Sequence, residues 1–285
     1  GIIGLACAWE LAERGRHVLV RAAAALGRGA SWAAAGMLAP AFEAAGEPGT
    51  HPGLFDLCMK SVSQWQAFAQ RLSKTSGREV GYVSGPALAI AETEQEFAAL
   101  HRIAGALAQQ GVAYEHLDGT QLVAWDPALS AELAGGLSLP TDGQIDNRAV
   151  VDALIGVCQR HPRITLQAGA DAVAPDDLAQ RYSDVVCAAG WQSAGLVTGA
   201  RAVMPVGGQM LATARTASSP RHTIRHGDVY IAPKSDRVVI GATVEPGQAR
   251  PRVQPEQIAA LKAHASRLCP ALAEAPTIET WYGTR

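Results

Sequence analysis

Hydrophobic positions along this chain follow two periods, and the change between them divides it. Leu5, Ala8, Leu11 and Ala12 recur at helical spacing, Arg14 and Gly15 close that helix, and His17-Val18-Leu19-Val20 is a short apolar run of strand type. Phe55, Cys58, Met59, Val62, Trp65, Phe68, Ala69 and Leu72 keep one stripe through several turns, which predicts a long amphipathic helix whose aromatics pack a core rather than line a cofactor. Gly81 to Ala91 reads as extended, and Phe97, Leu100, Ile103, Ala104 and Leu107 mark a second helix ended by Gly111. After the capping pair Asp146-Asn147, Val150, Val151, Leu154, Ile155 and Cys158 predict a third helix, followed by a strand at Ile164-Thr165-Leu166. Asp184 to Ala189 is a continuous apolar run of the kind found in a parallel strand buried on both faces, and it ends in Gly190, where open α/β sheets place ligands.

From Ala202 to Thr243 the pattern changes to short runs rich in Val, Ile, Tyr and Thr, broken at Pro205, Gly207-Gly208, Gly227-Asp228 and Ser235-Asp236. That predicts several antiparallel strands, with a helix after them at roughly 256–268. Turn signals stand at Asp126-Pro127 and at Leu139-Pro140-Thr141-Asp142-Gly143. An antiparallel sheet spliced into a βαβ order predicts an α/β fold of two interleaved domains.

The 285 residues are 48% apolar and 18% charged with a formal net charge of −2, which is globular and argues against nucleic acid as a partner. No apolar run reaches the length of a membrane span. Five scattered cysteines without a C-x-x-C pair predict reduced thiols and a cytoplasmic setting. His222 and His226 are four apart, but Gly227-Asp228 beside them marks a turn, so no metal site is expected there.

Chemistry concentrates near the start. Gly1-Ile2-Ile3-Gly4 reads as the end of a G-x-G-x-x-G fingerprint whose first Gly and preceding strand are absent, so Gly1 and Gly4 would let backbone N–H groups approach a pyrophosphate at a helix start. The fingerprint expects an acid at the end of the next strand to hold the adenosine ribose. No Asp or Glu lies between Glu13 and Glu43, a loss worth on the order of 1.5–3 kcal/mol of cofactor binding. Arg21 or Arg28 at that place would suit a 2′-phosphate, although surface solvation is the simpler role for both. Gly29-Ala30-Ser31-Trp32-Ala33 brushes against G-x-S-x-G, but Ala replaces the final Gly and no strand runs into Ser31, which argues against a serine hydrolase.

The chain resembles the FAD-dependent D-amino-acid oxidase family, and within it the glycine oxidase branch associated with thiamine biosynthesis. The resemblance rests on residues 1–11 and 29–40, with Asp142-Gly143-Gln144-Ile145-Asp146, Pro205 to Met210, Tyr230-Ile231-Ala232-Pro233, Gly241 to Glu245 and Trp281-Tyr282-Gly283-Thr284-Arg285 in the family's order. It implies a Rossmann-like FAD-binding domain (1–85, 141–203 and 276–285, truncated at both ends) interleaved with an α+β substrate domain on an antiparallel sheet (86–140 and 204–275). It also implies that Ser31, Ala34, Ala35, Gly36 and Met37 approach the flavin, that Val173 and Gly190 contact the far side of the cofactor, and that Arg285 clamps the substrate carboxylate with Tyr230 assisting.

The activity so implied is oxidative deamination of glycine or a small D-amino acid to the 2-oxo acid, ammonia and hydrogen peroxide, with oxygen as acceptor and a homo-oligomeric assembly. A D-amino-acid dehydrogenase with another acceptor, a truncated non-catalytic relative that binds flavin poorly and a nicotinamide enzyme using Arg21 are the competing readings. Gly207 and the order Trp191-Gln192-Ser193 depart from the family's pattern, and the family continues past the position of Arg285 with a strand and a closing helix.

Overall fold

The computed structural model describes the chain except residues 46–52, 172, 174, 201 and 251 and the side chains of 44, 45 and 198. Along the chain, α1 (Ile2–Glu13) and β1 (Val18–Ala22) are followed by α2 (Ala30–Ala33), β2 (Met37–Leu38), α3 (Pro40–Ala45) and α4 (Leu54–Ser76). Next come β3 (Ala87–Ala91), α5 (Glu94–Gln109), β4 (Glu115–Asp118), α6 (Gly119–Trp125), β5 (Gly135–Leu139), β6 (Gly143–Gln144), α7 (Asn147–Arg160), β7 (Ile164–Ala168) and α8 (Pro175–Ala179). The last third holds β8 (Val206–Ala214), β9 (Thr223–His226), β10 (Val229–Pro233), β11 (Arg237–Gly241), β12 (Glu245–Pro246), α9 (Pro255–Leu268) and β13 (Thr277–Thr284).

The helices start and stop where local chemistry permits. Thr93 and Glu96 form a reciprocal capping box on α5, Asp118 and Gln121 another on α6, and the Asp146 carboxylate accepts from the N–H groups of Arg148 and Ala149 at the head of α7. Gly77 ends α4 in the left-handed region at φ +71.

Two layers of apolar packing follow. α1, α4 and α7 share one core in which Leu5, Trp9, Leu72, Val150 and Leu154 are almost fully buried, with Trp65 and Phe68 packed at its margin, so the aromatic stripe of α4 is core as its spacing predicts. Beside them β1 and β7 pair in parallel from Val18↔Ile164 to Ala22↔Ala168. The larger sheet has nine described strands in the order β12-β8-β11-β10-β9-β3-β5-β4, with β13 also pairing β8. It is antiparallel except between β3 and β9. One face packs on α9 and α6 through Leu211, Ile224, Ile231, Ile240, Leu261 and Leu268; elsewhere α5 covers Ala89, Ala91, Leu137 and Leu139. β13 belongs to this sheet along its whole length, from Thr277↔Thr213 to Thr284↔Gly207.

One predicted element is absent. Asp184 to Ala189 forms no strand, and Val185 and Val186 are 36% and 58% exposed. Strand composition supplies no hydrogen-bonding neighbour. β1 and β7 are engaged with each other, and among the described residues no strand lies alongside 184–189.

Asp142 is fully buried, and its two carboxylate oxygens accept from the N–H groups of Ala41 (2.8 Å) and Phe42 (2.9 Å) at the start of α3. Burial pushes its carboxyl up to about 6 despite those bonds and the positive charge of Arg225. A carboxyl raised in the folded state favours folding below its unfolded value near 3.8 and loses that contribution as pH rises through about 6. The stability difference between the unaltered protein and Asp142→Asn is therefore expected to shrink by on the order of 2 kcal/mol between pH 4 and pH 7. Urea denaturation across that range checks it, and a difference independent of pH would count against it.

Candidate active site

The loop from Ser31 to Met37 is held by donors that reach it from three other segments. Asn147, second in the capping pair of α7, donates from Nδ2 to the carbonyls of Ser31 (2.8 Å) and Trp32 (2.9 Å). Trp281 of β13 donates from Nε1 to the Ala33 carbonyl at 2.9 Å. The Arg148 guanidinium lies 3.8 Å from the Trp32 ring centroid and 4.6 Å from that of Trp281, and it makes a two-pronged ion pair with Glu279 at 2.7 and 3.2 Å. Gly36 adopts φ +71 and its carbonyl accepts from Ile145; a Cβ there would lie 2.1 Å from the Ile145 carbonyl, so the position needs glycine. Of the loop's small residues, Ala35 is buried and Ala34 is exposed.

Facing the loop is a row of residues across four strands. Trp281 pairs with Met210, Met210 with Gly241 and Gly241 with Tyr230, so all four stand on one face of the sheet. A Cβ on Gly241 would lie 2.5 Å from the Tyr230 hydroxyl, which shows how closely the phenol is laid over that strand. Gly283, two residues beyond Trp281 and on the same face, gives the same economy against Ala33, where a Cβ would meet Ala33 Cβ at 2.4 Å. Arg285 continues the ladder: its N–H and carbonyl exchange bonds with Val206 at 2.9 and 2.8 Å, and the residue is exposed. Tyr230 is 8% exposed; burial pushes its phenol up to about 12, against the lowering effect of the Arg225 and Arg285 charges, so it stays protonated at neutral pH.

Arg225, which pairs with Tyr230 on β9–β10, was not foreseen from the sequence. Its guanidinium meets Met37 Sδ (3.4 Å), Glu43 Oε1 (2.7 Å) and the face of Phe42 (4.3 Å), while its Nε is buried without a hydrogen-bond partner among the described residues. Asn147 and Arg148 were likewise missed as site residues, although the Asp146-Asn147 capping signal lies on them.

The remaining predicted positions cluster around the start of α1. Ser31 Oγ accepts from the N–H of Ile2 at 3.0 Å, which draws the loop onto the helix end. Gly1 caps α1 with no side chain and the first turn holds no acid, so beyond the Ile2 amide held by Ser31 the next amides, of Ile3 and Gly4, are open to an anion, and a Cβ on Gly4 would stand 3.4 Å from Ala188 Cβ. These features fit the diphosphate of a dinucleotide. Gly190 is exposed at φ +61, two residues beyond Ala188, and Val173 is half-buried beyond the end of β7. β1 ends at Ala22 with no acid at its tip, Arg21 is engaged with the Asp171 carbonyl at 3.3 Å, and Arg28 lies 5.1 Å from the Trp32 ring centroid. A cleft of about 540 Å³ bordered by Asp228, Thr243, Glu245 and Gln254 opens past the end of β11, and none of the predicted site residues lines it.

A glycine-capped helix with a glycine-dependent loop drawn onto its end, and a mixed sheet packed against that loop, make an α/β fold of the kind that flavin-dependent oxidoreductases use. The chain belongs to the DAO family of FAD-dependent oxidoreductases, whose pattern it matches over residues 1–285. It is 32% identical over 309 residues to the bifunctional protein ThiO/ThiG of Synechocystis sp., covering 100% of this chain and 44% of that protein, so it spans less than half of that relative. It is 30% identical over 303 residues to the glycine oxidase of Geobacillus kaustophilus, covering 100% of this chain and 79% of that one. The crystal structure of glycine oxidase from Geobacillus kaustophilus superposes with a TM-score of 0.87 at 28% identity, covering 100% of this chain and 80% of that one, and the enzyme from Bacillus cereus ATCC 14579 with 0.86 at 25% over the same shares. FAD is the cofactor of this family.

Asn147→Ala removes both amide bonds to the loop while leaving the Asp146 cap. It is expected to cost about 1–3 kcal/mol of stability and to lower the FAD bound per chain, as checked by thermal melting and by the absorbance ratio of flavin to protein.

Proposed function

We propose that this protein uses FAD to deaminate glycine or a small D-amino acid oxidatively, and that the reaction serves thiamine biosynthesis. Overall, the amino acid, water and oxygen would give the 2-oxo acid, ammonia and hydrogen peroxide. The likeness to relatives named glycine oxidase and ThiO/ThiG supports the reading. The observation that carries it is the placement of Tyr230 and Arg285 on the sheet face that closes over the Ser31–Met37 loop.

In this reading the opening turn of α1, with Gly1 and Gly4, holds the diphosphate, Ser31 to Met37 lies along the ring system, and Val173 and Gly190 touch the far side. FAD, when bound, supplies the two-electron acceptor that no side chain offers. The chain's own residues orient and desolvate. Arg285 presents a planar fork to both carboxylate oxygens, fixing where the α-carbon sits. Tyr230, kept protonated by burial, donates a hydrogen bond to the same carboxylate. Oxidation of the amine C–N bond gives an imine, which water hydrolyses to the oxo acid and ammonia.

The proposed division assigns 1–85, 141–203 and 276–285 to the cofactor-binding unit and 86–140 and 204–275 to the substrate unit; α1, α4 and α7 share a core within the first, whereas β13 pairs with β8 of the second. A cytoplasmic setting accords with five free cysteines. No helix of the described residues is long and apolar enough to cross a membrane.

Anaerobic glycine is expected to bleach the flavin spectrum, and air to restore it with release of peroxide. Bleaching without peroxide would assign another acceptor, and no bleaching with glycine or D-alanine would overturn the proposal. Arg285→Ala is expected to lower kcat/KM by about 100-fold or more, chiefly in KM, through loss of the charge-assisted hold on the carboxylate, and Tyr230→Phe by about tenfold, the worth of one hydrogen bond. Steady-state peroxide assays on flavin-loaded protein measure both.

A further inference from the structure

Two imidazoles and two carboxylates converge on the side of the nine-stranded sheet away from Tyr230. His226 ends β9 at the turn into β10 and pairs with Val229, and Ile224 lies two residues before it. Val229 and Ile224 both pack in the core beneath α9, so His226 faces α9, whereas Arg225 and its partner Tyr230 face the loop. His226 Nδ1 lies 2.8 Å from Nε2 of His264, which α9 presents. On its other edge His226 Nε2 lies 3.2 Å from Glu96 Oε2 and 3.8 Å from Glu92 Oε2, both at the head of α5. The His226 side chain is only 11% exposed and that of Glu92 27%, so the groups are held by packing and open to solvent on one side.

We infer that Glu92, His226 and His264 form a binding site for a divalent transition ion of the zinc class, with Glu96 beside it and water completing the shell. One ligand atom from each of the three residues lies within 4.8 Å of the other two. Two imidazole nitrogens and a carboxylate oxygen suit zinc, copper or nickel, while magnesium and calcium prefer oxygen alone. Because His226 meets His264 through Nδ1 and the carboxylates through Nε2, an ion on Nε2 requires the His264 ring to leave its Nδ1 contact and turn toward Glu92, to reach bonds of about 2.0–2.1 Å. Rotation of His264 on the helix surface provides that.

Arg267 opposes the ion: its Nε and Nη2 lie 3.0 and 3.2 Å from the Glu92 oxygens. The second negative charge, on Glu96, offsets it. The sequence spacing of His222 and His226 gave no hint, because His222 turns instead to Asp126 at 3.2 Å and the true partners come from α5 and α9. The ion would join β9, α5 and α9, which the unfolded chain does not bring together, so it would stabilise the fold by mass action. The site stands apart from the proposed oxidation, since the sheet separates the two.

The test is calorimetric titration of zinc chloride into the full chain, free of any histidine tag and stripped with chelator, alongside thermal melting. One zinc per chain and a raised Tm are expected. Glu92→Gln and His264→Gln should each weaken binding at least about tenfold, a loss that even groups outside the ligand shell produce. Should His264→Gln fail to fold by circular dichroism, Glu92→Gln, on a half-buried turn, carries the test alone. His101→Gln breaks a different stacked pair, His101 with His116, and should leave affinity unchanged. Absence of stoichiometric binding, unaltered affinity in the Glu92 variant, or loss in the His101 variant would overturn the inference.

Discussion

The hydrogen bond from Trp281 Nε1 to the Ala33 carbonyl fixes the relation on which the site depends. Ala33 ends the short helix α2 between the first strand and the long helix, and Trp281 sits on the strand that pairs with β8. At the closest approach the residues are small, Ala33 against Gly283, while Trp32, Trp281 and Met210 pack around them. Glycine at 283 is what lets the two backbones meet. Arg148 locks the arrangement from the side by stacking on Trp32 and Trp281 while paired to Glu279, so a guanidinium serves as both wedge and clasp.

The same economy of side chains explains how the site can be almost free of acid–base groups. A cofactor that carries the electron chemistry asks the protein for shape, amides and one or two well-placed donors. In the proposed reading the amides would come from α1 and the glycine-dependent loop, and the donors from Tyr230 and Arg285 on the sheet. Burial keeps Tyr230 protonated, and the neighbouring positive charges of Arg225 and Arg285 do not overcome it. Arg225 spends its own hydrogen bonds on Met37 and Glu43, so it acts on the loop rather than on the space in front of Tyr230.

Periodicity made much of this architecture readable in advance. α1, α4, α5, α7 and α9 stand where apolar spacing puts them, because each buries one stripe against a neighbour and that stripe is written locally. The Asp146 cap was legible for the same reason: donor and acceptor lie within three residues. Residues 184–189 misled because a strand is defined by its neighbours, and composition describes only the strand itself. Arg225, Asn147 and Arg148 escaped notice because their partners lie about a hundred residues or more away, and a lone Arg or Asn in a strand or helix carries no pattern. The glycine-rich motifs, in contrast, revealed the loop, since only a backbone that must approach another so closely excludes a Cβ at Gly36.

The bond between Ala33 and Trp281 spans 248 positions of chain. A ribosome therefore delivers the Ser31–Met37 loop long before the strand that props it, and most of the antiparallel sheet comes from the chain in between. Assembly of the pocket is consequently a late event with a high contact order, slow by topology and exposed to capture by chaperones while the loop waits.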